Sequence, residues 1–206
     1  MPTHRAPHGE ELNEGEVSPA RPAASVIVLR DSEAGPEVLL VQRNPAQRFM
    51  GGAWVFPGGA VHASDGGPAE AGRRELEEEA GLPLPDSRAL VPFSRWITPE
   101  EAKIRFDTHF FVVESPPGAD PVCDGKECVD LRWLRPAEAL QAHRQGHLEL
   151  VFPTIKHLEE LAEFDSVRAA LETARDRQVR PVMPRIVLEE ESAQIVLPGE
   201  PGYEDG

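Results

Sequence analysis

The chain has 206 residues, 40% hydrophobic and 28% charged, enough for one globular domain with a full-sized core and appended tails. Its 21 Lys and Arg stand against 36 Asp and Glu, a net charge of -15, which excludes the broad electropositive surface that polymeric nucleic acid requires. A small anionic substrate stays open, because local cations or bound metal ions decide that attraction.

Residues 1–20 are polar, rich in Pro, Gly and Glu, and without periodicity, which predicts a disordered arm before a domain over 21–180. That arm also lacks the apolar segment of a signal peptide, and no run in the chain approaches the ~20 apolar residues of a membrane span. The chain ends Tyr203-Glu204-Asp205-Gly206, which is no peroxisomal address, so a soluble cytoplasmic protein is expected, without membrane or nucleic-acid partners.

Residues 25–30 (SVIVLR) and 37–42 (EVLLVQ) read as a strand pair around a turn. A loop with Pro45, Gly51 and Gly52 follows, then the short apolar run 53–56 and Pro57-Gly58-Gly59, where glycines allow backbone to approach something closely. Residues 68–80 carry good helix formers, with a proline suited to the first turn and Gly81 where a left-handed cap would sit.

Residues 90–96 and 105–113 read as strands, the second alternating Phe106, Thr108, Phe110 and Val112 against Arg105, Asp107, His109 and Phe111. Cys123 and Cys128 fall in the turn-rich stretch that follows and lack the second ligand pair of a zinc site. Incidental reduced thiols are expected, with a local redox pair the alternative. A strand over 129–134 leads into a helix starting at Pro136, and packing helices follow over 154–164, with apolar spacing at Ile155, Leu158, Leu161 and Ala162, and from Val167. The tail, 181–206, has two short apolar runs, 185–188 and 194–197, that suit a hairpin or a loose acidic end. Irregular alternation of strands and helices predicts a mixed α/β (α+β) domain rather than a doubly wound one.

Within the helix over 68–80, Glu75, Glu78 and Glu79 are related by steps of three and four, so their carboxylates share one face. Ala69, Gly72, Leu76 and Ala80 form a small-residue stripe that could lie close against a sheet. A run of glutamates is usually a solvated surface. Here like charges repel at i, i+4 and meet the negative end of the helix dipole, each at a cost of about 0.3 to 1 kcal/mol. Arg73 and Arg74 precede Glu77 and Glu78 by four, the less favourable order for a pair. A hard divalent cation held by several carboxylate oxygens would remove the repulsion.

Gly59 through Leu82, ending Arg74-Glu75-Leu76-Glu77-Glu78-Glu79-Ala80-Gly81-Leu82, resembles the signature of the Nudix hydrolases, with Phe56-Pro57-Gly58-Gly59 where that family has its entry loop. One departure stands out: Asp65 replaces the family's glutamate, and the spacer to Arg74 is one residue longer. The resemblance implies a mixed β-sheet sandwiched between helices and a hydrolase that cuts a diphosphate linkage with Mg²⁺ or Mn²⁺. It makes Glu75, Glu78 and Glu79 metal ligands, with Glu75 also a candidate base. The Gly58 carbonyl and Glu127, from a later loop, would be further ligands, and Arg74 would hold a carboxylate in place or tie the helix to the neighbouring loop.

Outside the signature, Leu39-Leu40-Val41-Gln42-Arg43, Trp96-Ile97-Thr98-Pro99 and residues 105–111 resemble the Nudix branch that includes the peroxisomal acyl-coenzyme A diphosphatases. That implies coenzyme A or acyl-coenzyme A as substrate, cleaved to 3′,5′-ADP and a 4′-phosphopantetheine product. Arg43 and Arg48 could meet the 3′-phosphate, or be solvent-facing loop arginines. Gly59, Asp107 and His109 could line the cleft, although for the last two a structural hydrogen-bonded pair is the commoner arrangement. Trp54 and Trp96 could stack a base or belong to the core. Other expected substrates are ADP-ribose, a dinucleotide or a nucleoside triphosphate, and from a different class the domain could be a non-hydrolytic nucleotide sensor.

Overall fold

The structure, a computed structural model, describes residues 12–13, 15–47, 49–188 and 193–204. Its central strand, β1 (Arg21–Ser32), is buried through residues 23–29, because Val26 and Val28 face one layer of helix while Ile27 and Leu29 face another. β1 pairs antiparallel with β2 (Gly35–Arg43) and β4 (Gly58–Ala60), and parallel with β6 (Phe106–Glu114). β2 pairs with β3 (Trp54–Val55) and β7 (Cys128–Leu134). β6 pairs antiparallel with β5 (Val91–Ile97), which carries the short parallel β8 (Pro181–Val182) at its far edge. The result is one mixed eight-stranded sheet between helices.

Helix α1 (Pro68–Ala80) occupies the predicted residues. It ends at Gly81, whose φ of 63° is left-handed and whose N–H reaches the Glu77 carbonyl at 3.1 Å. Its small-residue stripe does meet the sheet: a β-carbon on Gly72 would stand 3.0 Å from Val26 Cγ2. Ala71, Leu76 and Ala80 pack there against Val26, Val28, Leu39 and Val41. Each Val or Leu side chain removed from water there contributes about 1.5 to 3 kcal/mol, and each alanine methyl about 0.8 kcal/mol.

On the opposite face, α2 (Pro136–Arg144), α3 (Phe152–Leu161) and α4 (Val167–Asp176) cover Ile27, Leu29, Phe93, Phe110 and Val112. Helix α4 starts where Ser166 Oγ accepts from the Ala169 N–H at 3.2 Å. Helix α3 starts two residues before the predicted boundary, with Pro153 in its first turn, and it buries Thr154, His157, Leu158 and Leu161. The stripe is therefore turned by about one residue from the sequence expectation; Ile155 is half-buried and Ala162 exposed.

After β8 the chain forms an antiparallel hairpin of β9 (Arg185–Leu188) and β10 (Ala193–Val196), in which Ile186 lies opposite Ile195. The hairpin is tied to the domain: the Ile186 N–H reaches Glu101 Oε2 at 3.3 Å, and Arg185 Nη1 and Tyr203 Oη bond to the Tyr203 and Met183 carbonyls, both at 2.9 Å. Nearer the start of the chain, Leu12 bridges to Ala102, and buried Arg105 donates to the Ser18 carbonyl at 2.7 Å. The rest of residues 1–11, and Glu14, lie outside the described residues.

The cysteines correct the sequence expectation of incidental thiols: Cys123 and Cys128 are joined in a disulfide. Asp124 folds the loop between them by accepting from the backbone N–H groups of Lys126, Glu127 and Cys128, the last at 2.8 Å. That turn leaves the two α-carbons 5.3 Å apart, within reach of a bridge. Among the described residues no helix is long and apolar enough to cross a membrane.

Candidate active site

Helix α1 divides its glutamates by depth. Glu75 and Glu79, four apart, lie on the buried edge at 7% and 5% exposure, whereas the Glu78 side chain is 60% exposed. Glu79 Oε2 accepts from the Gly58 N–H at 2.9 Å. Burial pushes the Glu79 carboxyl up to about 7; the Gly58 N–H opposes the rise, and the Glu75 charge adds to it. Burial also raises Glu75, against the pull of its bond to Arg74. Glu75 has Arg74 as a partner, whereas the more deeply buried Glu79 has only the Gly58 N–H bonded to it, an arrangement that a cation would favour.

Arg74 organises the rest. Its Nη1 donates to Glu75 Oε1 at 2.7 Å and to Glu78 Oε2 at 3.0 Å, while Nε and Nη2 hold Asp65 at 3.1 and 3.0 Å and Nη2 also reaches the Ala60 carbonyl at 3.1 Å. Both roles expected of Arg74 are thus present in one fork of donors. The longer spacer is accommodated by a turn in which the His62 N–H donates to Asp65 Oδ2 at 2.7 Å. The Arg74 guanidinium draws the Asp65 carboxyl down to about 2. Arg73 pairs with Glu70 and Glu77, so the arginines offset more of the helix repulsion than their sequence order suggests.

Glycine at 59 leaves room for the Glu75 carboxylate. A β-carbon there would stand 2.5 Å from Glu75 Oε1 and 2.6 Å from its Cδ. At Gly58 the added carbon would strike the β1 backbone at Ser25. The close approach anticipated for these glycines is therefore to the Glu75 carboxylate and to strand β1.

Around these groups lies a cavity of about 480 Å³. One part of its wall is polar, with Glu75, Glu78, Arg74, Arg43, Glu127 and the backbone of Gly58 and Gly59. The remainder is largely apolar, with Phe49, Met50, Trp96, Phe106, Phe152 and Ile186 among its members. Arg43 sits at the end of β2, its Nε donating to the Phe49 carbonyl at 3.3 Å, and its charge counts against the rise at Glu79. Glu127 is exposed at the cavity rim, where its charge raises Glu75 and Glu79 further; its loop is held by the Asn44 N–H on the Glu127 carbonyl at 2.8 Å.

The donor set suits a hard cation: the Glu75, Glu78 and Glu127 carboxylates lie along one polar wall, Glu79 is bonded to the N–H of Gly58 in that wall, and burial penalises the charged forms of Glu75 and Glu79. Among the described residues no three acidic, histidine or cysteine side chains close on a common point. Arg74 Nη1 bonds both Glu75 and Glu78.

Two sequence candidates are placed elsewhere. Asp107 and His109 do not line the cavity; on β6 that face belongs to Phe106, Thr108 and Phe110, and strand alternation turns the other two away. Asp107 instead forms a bidentate pair with Arg95 on β5, at 2.8 and 2.6 Å, which lowers its pKa, while burial lowers that of His109. Trp54 is core, 3% exposed, whereas Trp96 lines the cavity and meets Phe152 edge-on at 6.1 Å. Arg48 lies outside the described residues.

Sequence reasoning missed His157 on α3, which is fully buried among Phe56, Phe93, Trp96 and Phe110 with Nε2 2.6 Å from Ser94 Oγ. Burial pushes its pKa down to about 3, so it supports the cavity wall as a neutral ring. Its place on the stripe with Leu158 and Leu161 was the available signal.

Residues 19–152 match the sequence model of the NUDIX domain. The chain belongs to the Nudix family. It is 29% identical over 143 residues to an uncharacterized Nudix hydrolase, NudL, of Citrobacter koseri, a span that is 69% of each chain. Among solved structures, a NUDIX hydrolase from Alicyclobacillus acidocaldarius superposes with a TM-score of 0.66 at 26% identity, covering 75% of this chain and 96% of that one. The NUDIX domain of Shewanella oneidensis NrtR, solved with ADP ribose, shares the fold at a TM-score of 0.57 and 19% identity, over 71% of this chain and 88% of its own. As a Nudix hydrolase the chain is an enzyme of pyrophosphate hydrolysis.

Proposed function

We propose that this Nudix enzyme hydrolyses the diphosphate of coenzyme A or an acyl-coenzyme A, releasing 3′,5′-ADP and the 4′-phosphopantetheine product. The observation that carries the proposal is one cavity with two chemistries, carboxylates and Arg43 along one part and aromatic and aliphatic side chains along the rest. An acyl-coenzyme A, with an internal diphosphate, an uncharged pantetheine arm and an apolar acyl chain, suits that division. A nucleoside triphosphate has only its base to set against that apolar wall. The sequence likeness of the outer motifs to acyl-coenzyme A diphosphatases supports the same reading.

Glu75, Glu78, Glu79 and Glu127, with the Gly58 carbonyl, would hold Mg²⁺ or Mn²⁺. Such an ion supplies charge neutralisation to the diphosphate and lowers the pKa of water. Glu75 takes the proton from the attacking water, a role helped by the burial that raises its proton affinity. Arg74 keeps that carboxylate aimed, and Gly59 leaves it room. Arg43 donates to a substrate phosphate.

Incubation with Mg²⁺ or Mn²⁺ and a panel of coenzyme A, acyl-coenzyme A, ADP-ribose, NADH and nucleoside triphosphates, with products identified by mass, tests the proposal. Release of 3′,5′-ADP from a coenzyme A species with the highest kcat/KM in the panel is expected. Preference for ADP-ribose, a dinucleotide or a triphosphate overturns the substrate assignment.

A further inference from the structure

The hairpin of β9 and β10 lies beyond the residues matched by the family model, which end at 152, yet Pro184, Ile186 and Ile195 line the same cavity as the carboxylates. Ile186 and Ile195 are directly opposed across the ribbon, so both project from one face, and Gln194 beside Ile195 is exposed on the other. The pair therefore presents an aliphatic surface to the cavity rather than to solvent or to the sheet core.

Its position along the cavity follows from the strand registers. Ser25 pairs with Gly58, at the carboxylate end, whereas Arg21, four residues back along β1, pairs with Phe106. Four strand residues span roughly 13 Å. The hairpin is tied to Glu101, just before β6, and Arg105 beside Phe106 reaches Met183 Sδ at 3.7 Å. Ile186 and Ile195 thus belong to the end of the cavity remote from Gly58 and Glu75. A substrate whose diphosphate lies against the carboxylates meets them with whatever group it carries at the far end of its arm.

We infer that the Ile186–Ile195 pair is the specificity-determining wall for the acyl chain of the substrate, an inference that rests on the coenzyme A reading above. A straight hydrocarbon chain is the group that gains from two opposed aliphatic side chains with no donor or acceptor between them. Binding there is remote from the reacting phosphorus, so it sets KM for acylated substrates and their chain-length order. The hairpin thereby adds to the family domain a selectivity surface that the glutamate helix has no means to provide.

The test is kcat and KM for unacylated coenzyme A and a series of saturated acyl-coenzyme A substrates of increasing length, with wild type, Ile195→Ala and Ile195→Phe. Ile195 is only half-buried, so truncation leaves the fold intact, and melting temperatures check this. Ile195→Ala should raise KM for the preferred acyl substrate about 10-fold more than it raises KM for coenzyme A. Ile195→Phe, which narrows that end, should shift the optimum to shorter chains. Equal effects on acylated and unacylated substrates, with chain-length order unchanged in both variants, overturn the inference while leaving the substrate assignment standing. Failure of the wild type to turn over any coenzyme A species overturns that assignment and the acyl wall with it.

Discussion

Replacing Gly59 by alanine separates what the glutamate helix does for stability from what it does for catalysis. The new β-carbon would lie 2.5 Å from Glu75 Oε1, against ordinary contact at 3.4 Å or more, so the carboxylate must retreat by about 0.9 Å. The obstructed atoms are the far end of a side chain, so backbone need not move. The cost to folding is then mainly the strained or lost bond from Arg74 Nη1, now 2.7 Å long, about 2 kcal/mol for a charge-assisted pair. For a chain of this size that lowers the melting temperature by roughly 4 to 8 °C. Catalysis is far less tolerant, because a misplacement of about 1 Å in a reacting group costs on the order of 100-fold. The expected result is a folded variant with kcat reduced about 100-fold. Differential scanning calorimetry and initial rates on the best substrate read the two effects. A Gly59→Ala enzyme with wild-type kcat would refute the placement of Glu75 in the reaction.

Glu79→Gln tests the cation site through stability. A carboxyl raised to about 7 from an ordinary value of 4.5 favours the folded state when protonated, so that stability is complete below about 4.5 and is lost as pH rises through about 7. In chelator, wild type should lose up to about 3 kcal/mol over that window relative to Glu79→Gln, and Mg²⁺ should restore wild type only, as read by denaturant melts at pH 5 and 8. For Asp65 the direction reverses: its depressed carboxyl stabilises the fold above its unfolded value of 3.8, and the benefit is lost as pH falls through about 2. Asp65→Asn should therefore be less stable than wild type at neutral pH, with most of the difference gone by pH 2, and equal melting at pH 7 would contradict the Arg74 pairing. Glu127→Gln, altering an exposed rim residue, should leave the melting temperature unchanged and raise the Mg²⁺ concentration for half-maximal rate; an unaltered metal titration removes Glu127 from the ligand set.

Local chemistry made much of this protein legible in one dimension. Helix α1 ran from Pro68 to Ala80, capped by Gly81, as expected because its start, stop and small-residue stripe depend on neighbours three and four residues away. The same spacing placed Glu75, Glu78 and Glu79 near one another, and the alternation of β6 identified its two faces. Periodicity left open which β6 face borders the cavity, and the answer, Phe106 and Thr108 rather than Asp107 and His109, depends on pairing with β1 across more than 80 residues. Depth was undetermined for the same reason: Glu79 is buried on the side of the helix where Gly58, paired with β1, donates to it, while Glu78 is exposed. The disulfide, the neutral His157 and the Ile186–Ile195 wall are likewise products of chain segments meeting in space. Sequence by itself determined helix α1, the longer strands and the sharing of one helix by three glutamates, because those follow from local geometry; tertiary structure alone decided which groups were desolvated and what shared the cavity, because burial is set by the distant elements that do the covering.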